Sequence, residues 1–361
     1  PFSNVYLTGL VRDKQGRKMS KSLNNSPDPL DLIEKYGADG VRVGMLLCSP
    51  AGGDLLYDDS LPEQGRNFAN KIWNAFRLVK NWDIDDKIAQ PEHSRVAAEW
   101  LDTKINETII LLNQQFDSFR LSEALMTVYK LFWDNFSASY LEIIKPEYQK
   151  PIDKNTYFQS MEFFKKLDLL ISPFMPFITE ELWQFMKNEN DVESIVNAKW
   201  PETKESNINL ITGFEYCTQV ISGIRTIRQD KNLPLKEKLS LQIITHGVYD
   251  SKFDAVIKKL ANLEKIEFVK VKPEMTSGYI VNSHEYFIPL GNMIDKDEEI
   301  KKLQDELKYI EGFLKSVMTK LSNEKFVNNA PAQVIDAERK KQSDAESKIT
   351  ILKEQISVLK S

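Results

Sequence analysis

Five consecutive residues near the amino end, Lys18-Met19-Ser20-Lys21-Ser22, place two ammonium groups beside two hydroxyls in a polar stretch. Lysine carries its charge as a compact point on a flexible stem, so a pair of lysines can follow the oxygens of a polyanion as negative charge develops on them. Glycine and asparagine flank the run, which indicates a loop. The run therefore predicts a mobile loop that binds phosphate groups, with a solvated basic turn as the alternative.

A second group of polar side chains lies on the helix that is predicted from about residue 60, where apolar residues recur at helical spacing. Arginine and asparagine donors beside an aromatic ring suit unpaired RNA bases, which are bound by stacking and by hydrogen bonds at their edges. A solvated helix face with a tryptophan in the core is the alternative. The candidate residues are Arg66, Asn67, Asn70, Lys71, Trp73, Asn74 and Arg77.

A third group is the cluster formed by Arg225 and Arg228, one helical turn apart, and three lysines that follow closely at positions 231, 236 and 238. Such a cluster predicts contacts with the phosphates of an RNA stem. Surface cations of this density also occur simply for solubility, so both interpretations stay open.

Composition narrows the class of protein. A net charge of −5 excludes a protein that coats nucleic acid by bulk charge, but it permits a local basic face. The cysteines and histidines are isolated from one another along the chain, so neither a disulfide framework nor a zinc site is expected. They are Cys48, Cys217, His93, His246 and His284. No long apolar run or signal peptide is visible, and a cytoplasmic location is therefore expected.

The chain of 361 residues is expected to be mainly α-helical and to have four parts. Residues 1–60 would end a nucleotide-binding domain, with a strand at 5–7, and a start at Pro1 without Met suggests a fragment of a longer protein. Residues 61–210 carry amphipathic helices joined by short loops, which predicts a bundle whose first helix is capped by Ser60 and Glu63. Residues 211–292 predict a small α/β unit with a helix between its strands.

Residues 293–361 are expected to form an antiparallel coiled-coil hairpin, because apolar residues step by alternating threes and fours on both sides of a break at 328–331. A coiled coil between two copies of the chain is the alternative. The first seam consists of Ile300, Leu303, Leu307, Ile310, Leu314, Val317 and Leu321, and the second of Ile335, Ala345, Ile349, Leu352, Ile356 and Leu359.

The pentapeptide resembles the signature loop of class I aminoacyl-tRNA synthetases, which holds the ATP phosphates while the amino-acid carboxylate attacks the α-phosphorus. The resemblance implies that Lys21 is the main phosphate ligand, that Lys18 assists it, and that Ser20 and Ser22 donate hydrogen bonds from a loop that includes Met19. ATP would then be a substrate, accompanied by Mg²⁺, and no metal would be bound by this chain.

One departure from the family pattern follows the pentapeptide. The family often has Leu-Gly-Asn there, whereas this chain has Leu23-Asn24-Asn25. Asparagine also tolerates left-handed backbone angles, so the turn is expected to survive.

Further segments are similar to valyl-tRNA synthetases, and the similarity spans essentially the whole chain. They are residues 63–75, residues 224–228 with 232–234, and residues 321–331, whereas residues 27–42 look like the helix after the loop in the synthetases for valine, isoleucine and leucine alike. The resemblance implies an anticodon-binding bundle and an arm that braces the outer corner of the tRNA through lysines such as Lys320 and Lys325. The implied partners are tRNA(Val), ATP and valine, and the protein is expected to be a monomer.

Three alternatives remain open at this point. An isoleucyl or leucyl enzyme would share the first segments, although isoleucyl enzymes commonly end in a cysteine-rich zinc segment that is absent here. A free-standing RNA-binding module with a vestigial loop, or an interaction protein that assembles through coiled coils, would lack synthetase activity. The family's second ATP signature, with two neighbouring histidines, does not occur in this sequence, so the chain alone is not expected to be active.

Overall fold

The computed structural model describes residues 2–7, 9–47, 53–204, 206–291, 296–322 and 332–360. They form two compact units, the first from residues 1–219 and 250–260 and the second from residues 220–249 and 261–361. The first unit is almost entirely helical, and the second combines a four-stranded sheet with long helices. The mainly α-helical fold with a small sheet unit is therefore confirmed, whereas the division into four parts stays a prediction.

In the first unit, the polar loop lies along the chain between strands β1 (Val11–Arg12) and β2 (Leu55–Leu56), which pair in parallel. Helices α1 (Pro29–Tyr36) and α2 (Ala38–Leu47) follow the loop. Helix α1 starts after Asp28, whose carboxylate accepts a hydrogen bond from the Leu30 amide at 2.8 Å. The prediction of a strand at residues 5–7 is wrong: these residues are irregular and exposed, and no described strand pairs with them.

The predicted bundle is present and follows directly. Helix α3 starts at Ser60, so Ser60 is its first helical residue and cannot be the N-cap of a Ser60–Glu63 capping box. That prediction is wrong: the N-cap is Asp59, and its side chain makes no capping bond. The helices of the bundle are α3 (Ser60–Lys80), α4 (Glu92–Asp117), α5 (Leu121–Lys130), a π-helical segment (Leu131–Tyr140), α6 (Leu141–Ile144), α7 (Lys154–Ile171) and α8 (Pro176–Met186). A short parallel pair joins β3 (Ile84–Asp85) to β4 (Ile152–Asp153).

Aromatic side chains fill the centre of the bundle. Phe68, Phe132, Phe136 and Phe164 are each less than 2% exposed. The rings of Phe136 and Phe164 meet edge to face with centroids 4.7 Å apart. The amphipathic helices predicted for this segment are therefore present, and their aromatic residues come together because each helix buries one apolar stripe.

Helix α2 is fixed to the bundle by two kinds of contact. Its backbone touches that of α3, since a Cβ on Gly44 would lie 2.5 Å from the Pro62 nitrogen and one on Gly65 would lie 2.4 Å from the Gly40 oxygen. The Asp39 carboxylate accepts hydrogen bonds from the amides of Phe177 and Ile178 at the start of α8, the second at 2.7 Å. Helix α2 is thus held at both a backbone crossing and a helix terminus.

In the second unit the sheet has the order β6-β5-β8-β7, with β5 and β6 parallel and the other neighbours antiparallel. The strands are β5 (Leu239–Ile244), β6 (Leu263–Phe268), β7 (Thr276–Val281) and β8 (His284–Pro289). Helix α9 (Ile208–Asp230) contributes residues to both units. Helix α10 (Asp254–Leu260), which the sequence placed in the α/β unit, packs against α4 in the first unit.

A single tyrosine shows how α9 holds the sheet. The Tyr279 ring stacks on that of Tyr286, with centroids 5.2 Å apart, and its hydroxyl donates to the Val220 carbonyl at 2.8 Å. Cys217, on the same helix, is fully buried, and this burial raises the pKa of its thiol to about 12.

The tail forms two helices that pack against each other, α11 (Lys296–Leu321) and α12 (Ala332–Lys360). The predicted seam on α11 is confirmed, because each of its seven residues is buried or half-buried whereas the positions between them that are described are exposed. On α12, Glu338 and Gln342 continue the seam, and Glu338 is only 6% exposed. The antiparallel coiled coil stays a prediction, and residues 323–331 with Lys325 lie outside the described residues, as do the side chains of Ile356 and Leu359.

Candidate functional site

The lysine loop is built on a short antiparallel hairpin. The Met19 amide donates to the Val11 carbonyl at 3.0 Å, and the Asp13 amide donates to the Arg17 carbonyl at 2.9 Å. The turn lies at Gly16, whose φ of +77° is readily accessible to glycine. The hairpin thus delivers the chain to Lys18 with a defined backbone path.

Beyond the hairpin the chain makes one tight 3₁₀ turn at Lys21–Leu23. The Ser20 hydroxyl accepts a hydrogen bond from the Leu23 amide at 3.3 Å and lies 3.1 Å from the Ser22 hydroxyl. The turn ends at Asn24, which has a φ of 49°. The left-handed residue expected at this position is therefore present, and asparagine supplies it where the family often has glycine.

Most of the cations around this loop are neutralised by carboxylates. Arg12 pairs with Asp54, and Arg17 pairs with Asp13 at 2.7 Å. Lys14 reaches Asp58 at 2.8 Å and, by its hydrogen bond, lowers the pKa of that carboxyl to about 2.

Lys18 and Lys21 differ from these neighbours. Both side chains are exposed, and neither makes an ion pair or a hydrogen bond with the described part of the chain. The ammonium groups that the sequence selected are therefore those left available to an anion from outside.

The polar residues of α3 divide into two sets. Asn67, Asn70, Asn74 and Arg77 are exposed on one face of the helix. At the carboxyl end of this face is a groove of about 370 Å³, lined by Asn74, Arg77, Leu78, Asn81 and Trp82. An indole, a guanidinium and two amides around an open groove are the groups that bind an unpaired base.

Arg66 and Trp73 contact other helices. The Arg66 guanidinium lies over the Tyr36 ring at 5.8 Å, and Trp73 contacts Phe76 and Phe185 with ring centroids 6.3 and 6.2 Å away. Both side chains are half-buried. Their positions match a supporting role in the bundle better than direct contact with RNA.

The sequence missed an aromatic pair beside this face. Trp133 is half-buried and stacks on Tyr129 with centroids 5.4 Å apart and planes 12° apart. The Lys71 ammonium lies 5.3 Å from the Trp133 ring centroid. The spacing i, i+4 of Tyr129 and Trp133 on consecutive helical turns is the signal that could have identified this pair.

The two arginines of the third group lie in different environments. Arg225 is exposed, as an RNA contact requires. Arg228 is only 4% exposed and donates to the carbonyls of Pro234, Glu237, Ala261 and Asn262 at 2.8 to 3.3 Å. Its donors are engaged within the chain, so its role changes from a phosphate contact to a support for the turn after α9.

Two of the histidines that looked isolated in the sequence come together in the sheet. The His246 amide donates to His284 Nδ1 at 3.0 Å, and His246 Nε2 lies 3.0 Å from a Glu285 oxygen. Within the described ranges there is still no group of three or more histidine, cysteine or carboxylate side chains that could hold a metal ion. Nor does any described helix combine the length and apolar character needed to span a membrane.

Comparison with known proteins gives three family matches along the chain. Residues 1–58 match the tRNA synthetases class I (I, L, M and V), residues 98–243 the anticodon-binding domain of tRNA ligase, and residues 295–360 the valyl tRNA synthetase tRNA binding arm. The lysine loop and the two-helix tail each fall within a different match, and the anticodon-binding match covers the bundle from residue 98 of α4 onward but not α3.

Curated relatives align with essentially the entire chain. The valine–tRNA ligases of Phocaeicola vulgatus and Parabacteroides distasonis are 57% and 55% identical over 100% and 99% of this chain, which spans 41% of each relative. That of Enterococcus faecalis is 35% identical over the whole chain, which spans 42% of it. The chain belongs to the valyl-tRNA synthetase family of class I enzymes and corresponds to their carboxy-terminal region.

Proposed function

We propose that this chain is the part of a valine–tRNA ligase that closes over ATP and binds tRNA(Val). The complete enzyme would join valine to ATP with release of pyrophosphate, and would then transfer the valyl group to the 3′ end of the tRNA. The observation that carries this proposal is that the side chains of Lys18 and Lys21 find no partner among the described residues, while Arg12, Lys14 and Arg17 around them are paired with carboxylates.

The chemistry follows from where charge develops. When the valine carboxylate attacks the α-phosphorus, negative charge builds on the departing pyrophosphate, and ammonium groups close to it stabilise the transition state more than the ground state. Lys21 and Lys18 would supply that charge, and the hydroxyls of Ser20 and Ser22 would donate further hydrogen bonds. Mg²⁺ would arrive with ATP as part of the substrate.

For RNA, the proposal rests on the exposed face and groove of α3. The anticodon-binding match begins at residue 98, so α3 is proposed from its own side chains. The exposed amides and Arg77 would bind base edges, and Trp82 would offer a ring for stacking. Arg225 is an exposed cation that suits a phosphate, and Lys320 is exposed as well, although its ammonium lies 3.9 Å from the Glu338 carboxylate. A monomeric state and a cytoplasmic location remain predictions.

The test of the phosphate site is valine-dependent exchange of pyrophosphate into ATP by a full-length enzyme that contains this chain. Replacing Lys21 by alanine is expected to lower the rate by about 100-fold or more, because a transition-state contact is lost. Lys14→Ala is the matched control: it removes a loop lysine that already pairs with Asp58, and its effect should be about fivefold or less. Equal rates for Lys21→Ala and the parent enzyme would contradict the proposal.

A further inference from the structure

We infer that Asn25 is a positioning residue that sets where the two unpaired lysines stand, an inference that rests on the proposed phosphate-binding function. Asn25 lies outside the pentapeptide and has no reactive chemistry of its own. Its side chain is half-buried, although the four preceding residues are exposed.

The amide of Asn25 joins three separate segments. Its oxygen accepts a hydrogen bond from the Ser20 amide at 2.9 Å. Its nitrogen donates to the Lys18 carbonyl at 3.2 Å and to the Asp13 carboxylate at 3.0 Å. Three of the four hydrogen bonds that a carboxamide can make are therefore used to hold backbone on both sides of Met19 and to tie it to the hairpin.

The Asp13 carboxylate, which accepts a hydrogen bond from Asn25, is itself held in place by further hydrogen bonds within the hairpin. It also accepts hydrogen bonds from the amides of Gln15 and Arg17 at 3.0 and 2.9 Å, and from Arg17 Nε at 2.8 Å. The bonds from Asn25 and Arg17 hold the pKa of Asp13 below its usual range, which keeps the carboxylate ionised as an acceptor.

The consequence concerns the separation of Lys18 and Lys21. Lys18 ends the hairpin and Lys21 begins the 3₁₀ turn, and the bond from Ser20 to Asn25 fixes the angle between these two segments. Without it, the Met19–Val11 backbone bond still holds the hairpin and the bond from the Asn24 amide to the Lys21 carbonyl still holds the turn, but no backbone hydrogen bond among the described residues joins the two segments. Loss of Asn25 would leave both ammonium groups present but poorly placed for the developing charge.

The first measurement is pyrophosphate exchange in the same full-length enzyme. Asn25→Ala is expected to lower kcat about tenfold with a smaller change in the KM for ATP, since binding by the lysines survives while their alignment is lost. Asn24→Gly is the matched control: the adjacent asparagine has a φ of 49°, which glycine adopts freely, so its rate should stay within about twofold.

A double-mutant cycle separates positioning from a general structural role. If Asn25 acts through Lys21, Asn25→Ala should cost clearly less in a Lys21→Ala enzyme than in the parent. Full additivity of the two substitutions would overturn the inference but would not affect the proposed function. A normal kcat for the Asn25→Ala enzyme, together with a lowered rate for the Lys21→Ala enzyme, would have the same meaning. An unimpaired Lys21→Ala enzyme would instead refute the proposed function.

Hydrogen exchange on the chain itself keeps the inference testable if the variant enzyme is inactive for other reasons. Asn25→Ala should accelerate exchange of the Ser20 amide, which Asn25 protects, but should leave the Asp13 amide, bonded to Arg17, unchanged. Unchanged protection of Ser20 would overturn the inference.

Discussion

Asp168 on α7 is a carboxyl group without compensation for its burial. It is 2% exposed, and neither of its oxygens has a hydrogen-bond partner among the described residues. Burial, with a smaller contribution from the nearby Glu180, raises its pKa well above the ordinary value. The native state therefore holds Asp168 protonated under conditions in which the unfolded chain would ionise it.

This predicts a stability that falls as the pH rises. The contribution of the protonated group is fully present below the unfolded pKa near 3.8 and is lost as the pH rises toward the folded pKa. Urea unfolding of Asp168→Asn should show a shallower decline than the parent, by up to about 1.4 kcal/mol per pH unit in that interval. Glu162→Gln, an exposed change on the same helix, is the control, and an identical pH slope for parent and Asp168→Asn would refute the prediction.

Arg225 and Arg228 show how one turn of a helix separates two roles. The guanidinium of Arg228 satisfies four carbonyls beyond the end of α9, an arrangement that suits its planar set of donors. Desolvation on burial lowers its pKa, but arginine remains charged at physiological pH. Arg225 is exposed and binds no such set of carbonyls in the described part of the chain, so it is the member of the pair that an RNA phosphate could reach.

Helix α2 connects the lysine loop to the bundle through its contacts with helices α3 and α8. Besides Asp39 at the start of α8, Arg42 donates to the carbonyls of Pro173 and Phe174, both at 3.1 Å, at the turn that leads into α8. The crossing at Gly44 and Gly65 then leaves no space for side chains between α2 and α3. The loop is thus attached to a part of the molecule that resists deformation.

Gly44→Ala tests this crossing. Its Cβ would lie 2.5 Å from the backbone nitrogen of Pro62, so the helices must separate, and a loss of about 1–3 kcal/mol in unfolding free energy is expected. Gly312→Ala on α11 is the matched control, because nothing lies within 4 Å of its added methyl group. Alanine there should be neutral or stabilising by up to about 1 kcal/mol. Chemical denaturation monitored by circular dichroism measures both, and equal stability of Gly44→Ala and parent would contradict the crossing.

How far the sequence predicts these elements depends on the range of the interactions involved. The lysine loop and the seam of α11 rest on local patterns, and both were found where expected. The π-helical segment was missed because Phe132, Phe136 and Tyr140 repeat every four residues, a spacing that fits an α-helix equally well. The burial of Arg228 depends in part on the carbonyls of Ala261 and Asn262, which are distant in the sequence, and the hydrogen bonds of Asn25 depend on how the loop folds back onto the hairpin. Neither arrangement is encoded by a local pattern.

At the scale of the whole molecule, the chain carries a net charge of −5. The chain has 53 acidic and 48 basic residues, yet the free cations occur at particular places such as Lys21, Arg77 and Arg225. An RNA approaching this chain meets net repulsion, and binding must come from a limited number of phosphates together with base contacts. We therefore expect such binding to depend modestly on salt and strongly on the RNA sequence.

Filter binding of the chain to tRNA(Val) and tRNA(Ile) at fixed salt checks this expectation. The valine tRNA should bind more tightly, and Arg77→Ala should weaken that binding by about tenfold, because a base-edge contact in the groove is lost. Arg95→Ala on α4 is the control, since Arg95 already pairs with Glu92 and Glu99. Similar affinities for both tRNAs, with no effect of Arg77→Ala, would count against the α3 face.

The burial of Cys217 has a practical consequence. A thiol that stays protonated and enclosed does not react with alkylating reagents while the fold is intact. Once Cys48 is replaced by serine, a cysteine introduced at an exposed position such as Asn24 would be the sole accessible attachment point for a fluorophore. The fluorescence of a label at that position would report movement of the lysine loop when nucleotide binds or dissociates.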